Sequence, residues 1–124
     1  MDILIVEDDK FLRDLISQKL NREGFKVRTA IDGEIGMKEI GERRPALILL
    51  DLILPGIDGF EILERLRNDA NLSSIPVLVL SNLGQSEDID RARSLGAEDF
   101  MIKANFTPGE IVEKVKQVLN KKYV

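Results

Sequence analysis

The sequence of 124 residues contains no cysteine and no histidine. Without cysteine, a disulfide framework, a thiolate nucleophile and a cysteine-based zinc or iron–sulfur site are all excluded. Without histidine, an imidazole general base, a histidine metal ligand and a phosphohistidine on this chain are excluded as well. The chemistry that remains available is that of carboxylates, hydroxyls and amines.

The sequence also lacks a block of basic residues and a long apolar run. Its 18 basic and 22 acidic residues give a net charge of −4, which argues against nucleic-acid binding by charge alone. No apolar stretch approaches the length that crosses a bilayer. We expect no secretory leader, because the first residues show neither a basic n-region nor a cleavage site. With 124 residues, of which 44% are apolar, we expect one domain over residues 1–124. We also expect this domain to be cytoplasmic and to bind neither membrane nor nucleic acid directly.

Four apolar runs are continuous, and each of them ends in a polar residue. They are Asp2–Val6 before Glu7 and Asp8, Ala46–Leu50 before Asp51, Pro76–Leu80 before Ser81, and Phe100–Ile102 before Lys103. Continuous runs are typical of strands that are buried on both faces of a parallel sheet. Because ligands of such sheets bind beyond the carboxyl ends of the strands, we expect these polar side chains to converge at one edge.

Helical patterns separate the strand-like runs, and this alternation predicts an α/β fold. A fifth run, Phe25–Ala30, alternates like an edge strand, so we predict a (βα)5 chain with a doubly wound, parallel, five-stranded sheet. Helix starts are predicted at Asp32, Asp58, Ser86 and Thr107, with the second helix ending near Arg43. The acidic pair and Asp51 share one crevice only if their strands are neighbours, and strand order 2-1-3-4-5 meets that requirement.

The carboxylates at these strand ends form a candidate metal site. Glu7, Asp8 and Asp51 would place about three negative charges within a few ångströms, which is costly unless a cation is shared or protons are taken up. Oxygen ligands without histidine or cysteine suit Mg²⁺, and Mn²⁺ is also possible. Lys103 would offer a point charge, and Ser81 a hydroxyl, to a phosphoryl oxygen.

Asp51 is the strongest candidate for a covalent phosphoryl acceptor. A carboxylate can accept a phosphoryl group as an aspartyl-phosphate, and Asp51 stands alone at the end of the most apolar strand. Simpler structural explanations stay open for the other residues. Glu7 or Asp8 could instead cap the first helix. Ser81 could instead be an ordinary turn residue, and Lys103 could be a solvated charge.

Four motifs in this order resemble the receiver domain of response regulators in two-component signalling. They are Glu7-Asp8-Asp9, the run from Asp51 through Pro55-Gly56 to Asp58-Gly59, Ser81, and the stretch from Gly96 to Lys103. The resemblance covers essentially the whole chain and implies a flavodoxin-like fold. It also implies a signalling domain rather than an enzyme, which takes a phosphoryl group from a partner histidine kinase or histidine phosphotransfer protein.

The same resemblance assigns roles to the residues of the acidic cluster. Asp51 would be the phosphoacceptor, and Lys103 would bind a phosphoryl oxygen. Mg²⁺ would be held by Asp8, Asp51 and the backbone carbonyl of Ile53, while Glu7 would act largely through a metal-bound water.

Ser81 and Phe100 correspond to the switch residues of the family. Ser81 would bind a phosphoryl oxygen, and Phe100 would turn inward when Ser81 moves, which would change a target-binding surface on the fourth helix, fifth strand and fifth helix. Phe100 has no hydroxyl, so such a switch would work by packing alone. Two further residues depart from the family pattern: Asn82 replaces a small residue and Ala104 replaces a proline, which leaves the isomer of the Lys103–Ala104 bond open.

The resemblance also bears on how long a phosphoryl group would persist. The residues two positions after the acceptor and two after Ser81 are best placed to hold a hydrolytic water in this family. Here they are Ile53 and Leu83, which are apolar. We therefore expect slow self-dephosphorylation.

Three other classes of protein compete with this interpretation. A haloacid-dehalogenase-type phosphohydrolase needs a second acid two residues after its nucleophile, where this chain has Ile53. A nucleotide- or flavin-binding domain needs a glycine-rich loop after the first strand, where Glu7-Asp8-Asp9 instead brings negative charge. The serious alternative is a pseudo-receiver that is never phosphorylated and acts only as a protein-interaction module.

Overall fold

Five β-strands alternate with five α-helices in residues 1–123, the part of the chain that the computed structural model describes. The strands are β1 (Asp2–Val6), β2 (Lys26–Ala30), β3 (Leu47–Leu50), β4 (Val77–Ser81) and β5 (Asp99–Ile102). The helices are α1 (Lys10–Arg22), α2 (Gly33–Glu42), α3 (Gly59–Arg67), α4 (Ser86–Ser94) and α5 (Pro108–Tyr123), and a 3₁₀ turn spans Lys103–Asn105. The alternation confirms the predicted (βα)5 organisation.

The strands form one parallel sheet in the order β2-β1-β3-β4-β5, which confirms the predicted order. Val6, at the end of β1, lies opposite Ala30 of β2 and Leu50 of β3. The carboxyl ends of β1 and β3 are therefore neighbours. Since α1 and α3 lie on opposite faces of the sheet, the chain leaves these two strands in opposite directions and opens the crevice that α/β sheets use for ligands.

Each central strand buries side chains on both faces of the sheet. In β1, Ile3 and Ile5 pack in a cluster with residues of α1 and α5, whereas Leu4 and Val6 pack in a second cluster with residues of α2, α3 and α4. The strands β3 and β4 divide their side chains between the two clusters in the same alternating way. Burying one such aliphatic side chain stabilises the fold by about 1.5–3 kcal/mol, so two-sided burial explains the unbroken apolar runs.

The predicted helix starts at Asp58 and Thr107 are confirmed by side-chain caps. The Asp58 carboxylate accepts from the backbone N–H of Glu61 at 2.9 Å. At the start of α5, the Thr107 hydroxyl accepts from the Glu110 N–H at 3.2 Å, while the Glu110 carboxylate accepts from the Thr107 N–H at 2.9 Å. Thr107 and Glu110 therefore form a complete capping box, in which both donors are satisfied reciprocally.

The predicted cap at Ser86 is wrong. Ser86 is the first helical residue of α4, the cap position is Gln85, and neither side chain caps the helix. Glu87 and Asp88 in the first turn supply negative charge near the positive end of the helix, which stabilises the start without a side-chain hydrogen bond. None of the helices in residues 1–123 is long and apolar enough to cross a bilayer.

The predicted limits of two elements shift for local reasons. Phe25 lies outside β2, because its N–H donates to the carbonyl of Leu20 and so belongs to the turn that ends α1. Ser81 lies inside β4 as its last residue, and its hydroxyl accepts from the Leu83 N–H two positions further on, so the alternative of a turn residue stays open. The second helix agrees with its prediction, since Asp32 caps it through a 2.8 Å bond from the Ile35 N–H.

Candidate functional site

The carboxyl ends of the strands bring four of the predicted side chains together. Glu7 and Asp8 follow β1, Asp51 follows β3, and Lys103 follows β5. The backbone N–H of Asp51 donates to the Val6 carbonyl at 3.0 Å, so the sheet pairing continues up to the acceptor candidate itself. The position of Asp51 is therefore fixed by the sheet rather than by a free loop.

Glu7, Asp8 and Asp51 form a cluster of carboxylates. One oxygen from each lies within 4.8 Å of the others, a spacing at which one metal ion could be held. Glu7 and Asp51 are 3% and 5% exposed, whereas Asp8 is open to solvent. Two buried carboxylates and one exposed carboxylate make an oxygen-only donor set, and hard divalent cations such as Mg²⁺ and Mn²⁺ prefer such ligands.

Lys103 is part of the cluster and is not a solvated surface charge. Its ammonium lies 2.7 Å from Glu7 Oε1 and 2.9 Å from Asp51 Oδ2, and its side chain is 15% exposed. The sequence suggested three carboxylates without compensation, and the structure corrects this, because one ammonium bridges the two buried carboxylates. The cluster still carries an excess of negative charge, with Asp8 on its open side.

Burial and the ion pairs shift the pKa values of two members of the cluster. Burial raises the pKa of Glu7 from 4.5 to about 7, although the bond from Lys103 acts in the opposite direction. Burial acts to lower the pKa of Lys103, but its bonds to Glu7 and Asp51 outweigh this effect and raise the pKa above 10.5. Because the folded state raises the pKa of Glu7, this carboxyl takes up a proton as the pH falls through about 7.

The loop after β1 is held by Arg13 and is followed directly by the cap of α1 at Asp9. Arg13 donates from Nη1 to the Glu7 carbonyl at 2.9 Å and to the Asp8 carbonyl at 3.4 Å. Asp9 caps α1 through the Leu12 N–H, so the alternative that Glu7 or Asp8 serves as the cap is wrong. An arginine in the first turn of α1 carries no sequence signal for this role, since nothing in its spacing indicates which carbonyls it reaches.

Ser81 and Phe100 lie on the neighbouring strands β4 and β5. Ser81 is fully buried, and its hydroxyl accepts from the Leu83 N–H at 3.3 Å. In residues 1–123, no hydrogen bond joins Ser81 to Asp51 or Lys103. Phe100 is half-buried and packs against the cluster of α2, α3 and α4. The structure therefore places the two expected switch residues on adjacent strands, without a hydrogen bond from Ser81 to the carboxylates.

The loop from β3 to α3 lies against the acceptor candidate. The N–H of Ile53 donates to Asp51 Oδ1 at 3.2 Å, and the N–H of Gly59 closes the loop by donating to the Leu52 carbonyl at 3.0 Å. Ile53 is 54% exposed, so its side chain is open to solvent two residues after the acceptor candidate. On the other side of the site, the Lys103–Ala104 peptide bond is trans, as are all the peptide bonds of residues 1–123.

Sequence comparison identifies a family and several proteins that are similar to this chain. A family model described as the response regulator receiver domain matches residues 3–116. The DNA-binding dual master transcriptional regulator RpaA of Synechocystis sp. is 40% identical over 119 residues, which cover 96% of this chain and 49% of that protein. The chain spans about half the length of the curated relatives it matches.

Solved receiver-domain structures share the whole fold. A CheY-like response regulator receiver domain protein from Methanospirillum hungatei superposes with a TM-score of 0.89 at 27% identity, covering 98% of this chain and 94% of the other. The Mn²⁺-bound form of the response regulator Rcp1 superposes with a TM-score of 0.82 at 28% identity, covering 94% and 90%. The family match, the strand order and the cluster of carboxylates agree, and the chain belongs to the response regulator receiver domain family.

Proposed function

We propose that residues 1–124 form one receiver domain that accepts a phosphoryl group on Asp51 in a Mg²⁺-dependent reaction. The observation that carries this proposal is the environment of Asp51, which is buried, joined to the Lys103 ammonium at 2.9 Å and grouped with two further carboxylates. In the reaction, an Asp51 oxygen forms a bond to phosphorus while the bond from phosphorus to the donor breaks. The donor group leaves with the electron pair of that bond.

The neighbouring residues have separate roles in this transfer. Lys103 already holds an Asp51 oxygen, so its ammonium stands where phosphoryl oxygens arrive. The Ser81 hydroxyl binds another phosphoryl oxygen after it leaves the Leu83 N–H. Mg²⁺ fits the oxygen-only donors of Asp8 and Asp51, with Glu7 acting largely through a metal-bound water. The backbone carbonyl of Ile53 would be a further ligand, and the bound ion would neutralise negative charge on the phosphoryl group.

The partners follow from the same chemistry. The physiological donor is a phosphohistidine on a histidine kinase or a histidine phosphotransfer protein. This phosphohistidine lies outside residues 1–124, because they contain no histidine. Mn²⁺ is an alternative cation, because a related receiver has been crystallised in a Mn²⁺-bound form. An output partner binds the face formed by α4, β5 and α5.

An acyl phosphate of low molecular weight separates this proposal from the pseudo-receiver alternative. After incubation with acetyl phosphate and Mg²⁺, intact-mass measurement is expected to show one added phosphoryl group per chain. The acetyl oxygen–phosphorus bond breaks, and acetate leaves. A protein that binds Mg²⁺ and shows no adduct would instead be a pseudo-receiver.

Phosphorylation is expected to change the face formed by α4, β5 and α5. Asp99 Oδ2 of β5 lies 2.6 Å from Lys114 Nζ of α5, and Asp99 Oδ1 lies 3.9 Å from Arg93 Nη2 of α4. Ion pairs therefore connect the three elements of this face. A movement of Ser81 leaves space next to β5 that Phe100 fills, and only contacts that differ between the two states can shift the population.

NMR chemical shifts measured before and after phosphorylation test this propagation. We expect changes at residues 89–95 and at Phe100 as well as around Asp51. In Ser81→Ala, the changes around Asp51 should remain, while those at residues 89–95 become smaller. Changes confined to the phosphorylation site in the unsubstituted protein would refute the propagation.

A further inference from the structure

A carboxylate from α2 reaches the loop that joins β3 to α3, residues 52–58. Glu34 lies in the first turn of α2, and its Oε1 accepts a hydrogen bond from the backbone N–H of Ile57 at 3.3 Å. The two residues are 23 positions apart in sequence, so the bond ties separate parts of the chain. The same carboxylate lies directly against the backbone of Gly56.

Two glycines make this contact possible. Gly56 has a φ of +71°, in the left-handed region, and a Cβ there would meet both carboxylate oxygens of Glu34 and lie 2.7 Å from its Cδ. A Cβ on Gly33 would lie 2.8 Å from the Cβ of Ile57 and closer still to its carbonyl oxygen. The start of α2 and the loop therefore meet backbone against backbone, and within residues 1–123 the Glu34 side chain makes the one hydrogen bond between them.

The other end of the same loop is bonded to the candidate acceptor. The Ile53 N–H donates to Asp51 Oδ1 at 3.2 Å. The loop is thus bonded to Asp51 at its start and to Glu34 near its end, and the Gly59 N–H closes it on the Leu52 carbonyl. Only four positions in the sequence separate Ile57 from Ile53, whose carbonyl is the proposed metal ligand.

We propose that Glu34 is a positioning residue for the cation site: its bond to the Ile57 N–H holds the loop so that the Ile53 carbonyl stays beside Asp51. Glu34 thereby strengthens cation binding without contacting the ion. This inference rests on the proposed function, because it takes the assignment of the Ile53 carbonyl from there.

The competing explanation is a charge effect on α2 alone. A carboxylate in the first turn stabilises a helix through its dipole, whatever else the side chain contacts. Glutamine separates the two explanations, because Glu34→Gln removes the charge but keeps an oxygen that can accept from the Ile57 N–H. Glu61→Ala is the matched control, since Glu61 is also an exposed carboxylate in a first helical turn and bonds only to Arg65 by its side chain.

Two measurements on these variants test the inference: hydrogen exchange of the Ile57 amide, and Mg²⁺ affinity by calorimetry. In Glu34→Ala, we expect exchange to become faster and Mg²⁺ affinity weaker, each by about two- to tenfold, as for the loss of one hydrogen bond. Glu34→Gln should stay close to the unsubstituted protein in both measurements, and Glu61→Ala should leave both unchanged.

Three outcomes would overturn the inference. If Glu34→Gln loses as much affinity as Glu34→Ala, the effect comes from charge and not from the hydrogen bond. If the unsubstituted protein binds Mg²⁺ and Glu34→Ala binds it equally well, only the role of Glu34 fails. If the unsubstituted protein does not bind Mg²⁺ at all, the proposed function fails with it.

Discussion

Mg²⁺ binding should be lost when Asp8 and Asp51 are both replaced by alanine. The double variant removes two of the three clustered carboxylates and leaves Glu7 paired with Lys103, so no net negative charge remains for a divalent cation. Of the single variants, Asp8→Asn should mainly weaken the cation, while Asp51→Asn should also remove the phosphoryl acceptor. Calorimetric titration with Mg²⁺ measures the change directly.

A second double variant controls for the change in net charge. Asp14 and Asp90 are carboxylates on α1 and α4, outside the cluster, and their replacement by alanine removes the same number of negative charges. This variant should bind Mg²⁺ as the unsubstituted protein does. Unchanged affinity in the Asp8→Ala, Asp51→Ala protein would show that the cation binds elsewhere.

The pH dependence of Mg²⁺ affinity follows from the raised pKa of Glu7. Burial raises this pKa to about 7, so the carboxyl is protonated below that pH and adds no negative charge to the cluster. Affinity should therefore rise from about pH 6 to about pH 8 as the proton leaves. Glu7→Gln should flatten this dependence, and a profile that stays as steep in Glu7→Gln would assign it to another group.

The phosphorylated protein is expected to lose its phosphoryl group slowly, and polar substitutions at Ile53 and Leu83 should shorten its lifetime. Hydrolysis needs a water held in line behind the phosphorus, and positioning of this kind is most of the catalysis in phosphoryl transfer. Ile53 is 54% exposed, while Leu83 packs partly against the core. Neither side chain can hydrogen-bond a water.

Decay of the phosphorylated protein after removal of the donor measures this lifetime. Ile53→Asn should speed the decay on the order of tenfold, as expected for one new hydrogen bond to the attacking water. Leu83→Glu should act in the same direction, although it also removes packing on the core. Ile53→Val is the matched control and should decay like the unsubstituted protein. Equal decay in Ile53→Asn and Ile53→Val would contradict the occlusion argument.

The fold could be predicted well from the sequence, because a strand that is buried on both faces of the sheet appears as a continuous apolar run. Residues on both faces of the sheet have to be apolar, such as Leu4 on one face and Leu49 on the other. The unbroken apolar runs show this without any knowledge of tertiary contacts. The positions of Asp51 and Lys103 could be predicted from the same apolar runs, since each residue follows the end of a strand. The cap at Ser86 failed because charge in the first turn can replace a capping side chain.

Side-chain direction and long-range contacts could not be predicted in the same way. The position of Lys103 after β5 does not show that its ammonium bridges Glu7 and Asp51. Likewise, nothing in the spacing of Glu34 indicates a bond to the Ile57 backbone. Both contacts depend on how loops fold back over the sheet edge, and such loops carry no periodic pattern.

The most direct test of the central claim is the intact mass of matched variants after treatment with acetyl phosphate. Asp51→Asn removes the proposed acceptor, while Asp58→Asn changes a carboxylate in the same loop and keeps a side chain that caps α3 equally well. With Mg²⁺, the unsubstituted protein and Asp58→Asn should each gain one phosphoryl group, and Asp51→Asn should gain none. With a chelator, none of the three should gain one. A full adduct on Asp51→Asn would contradict the account.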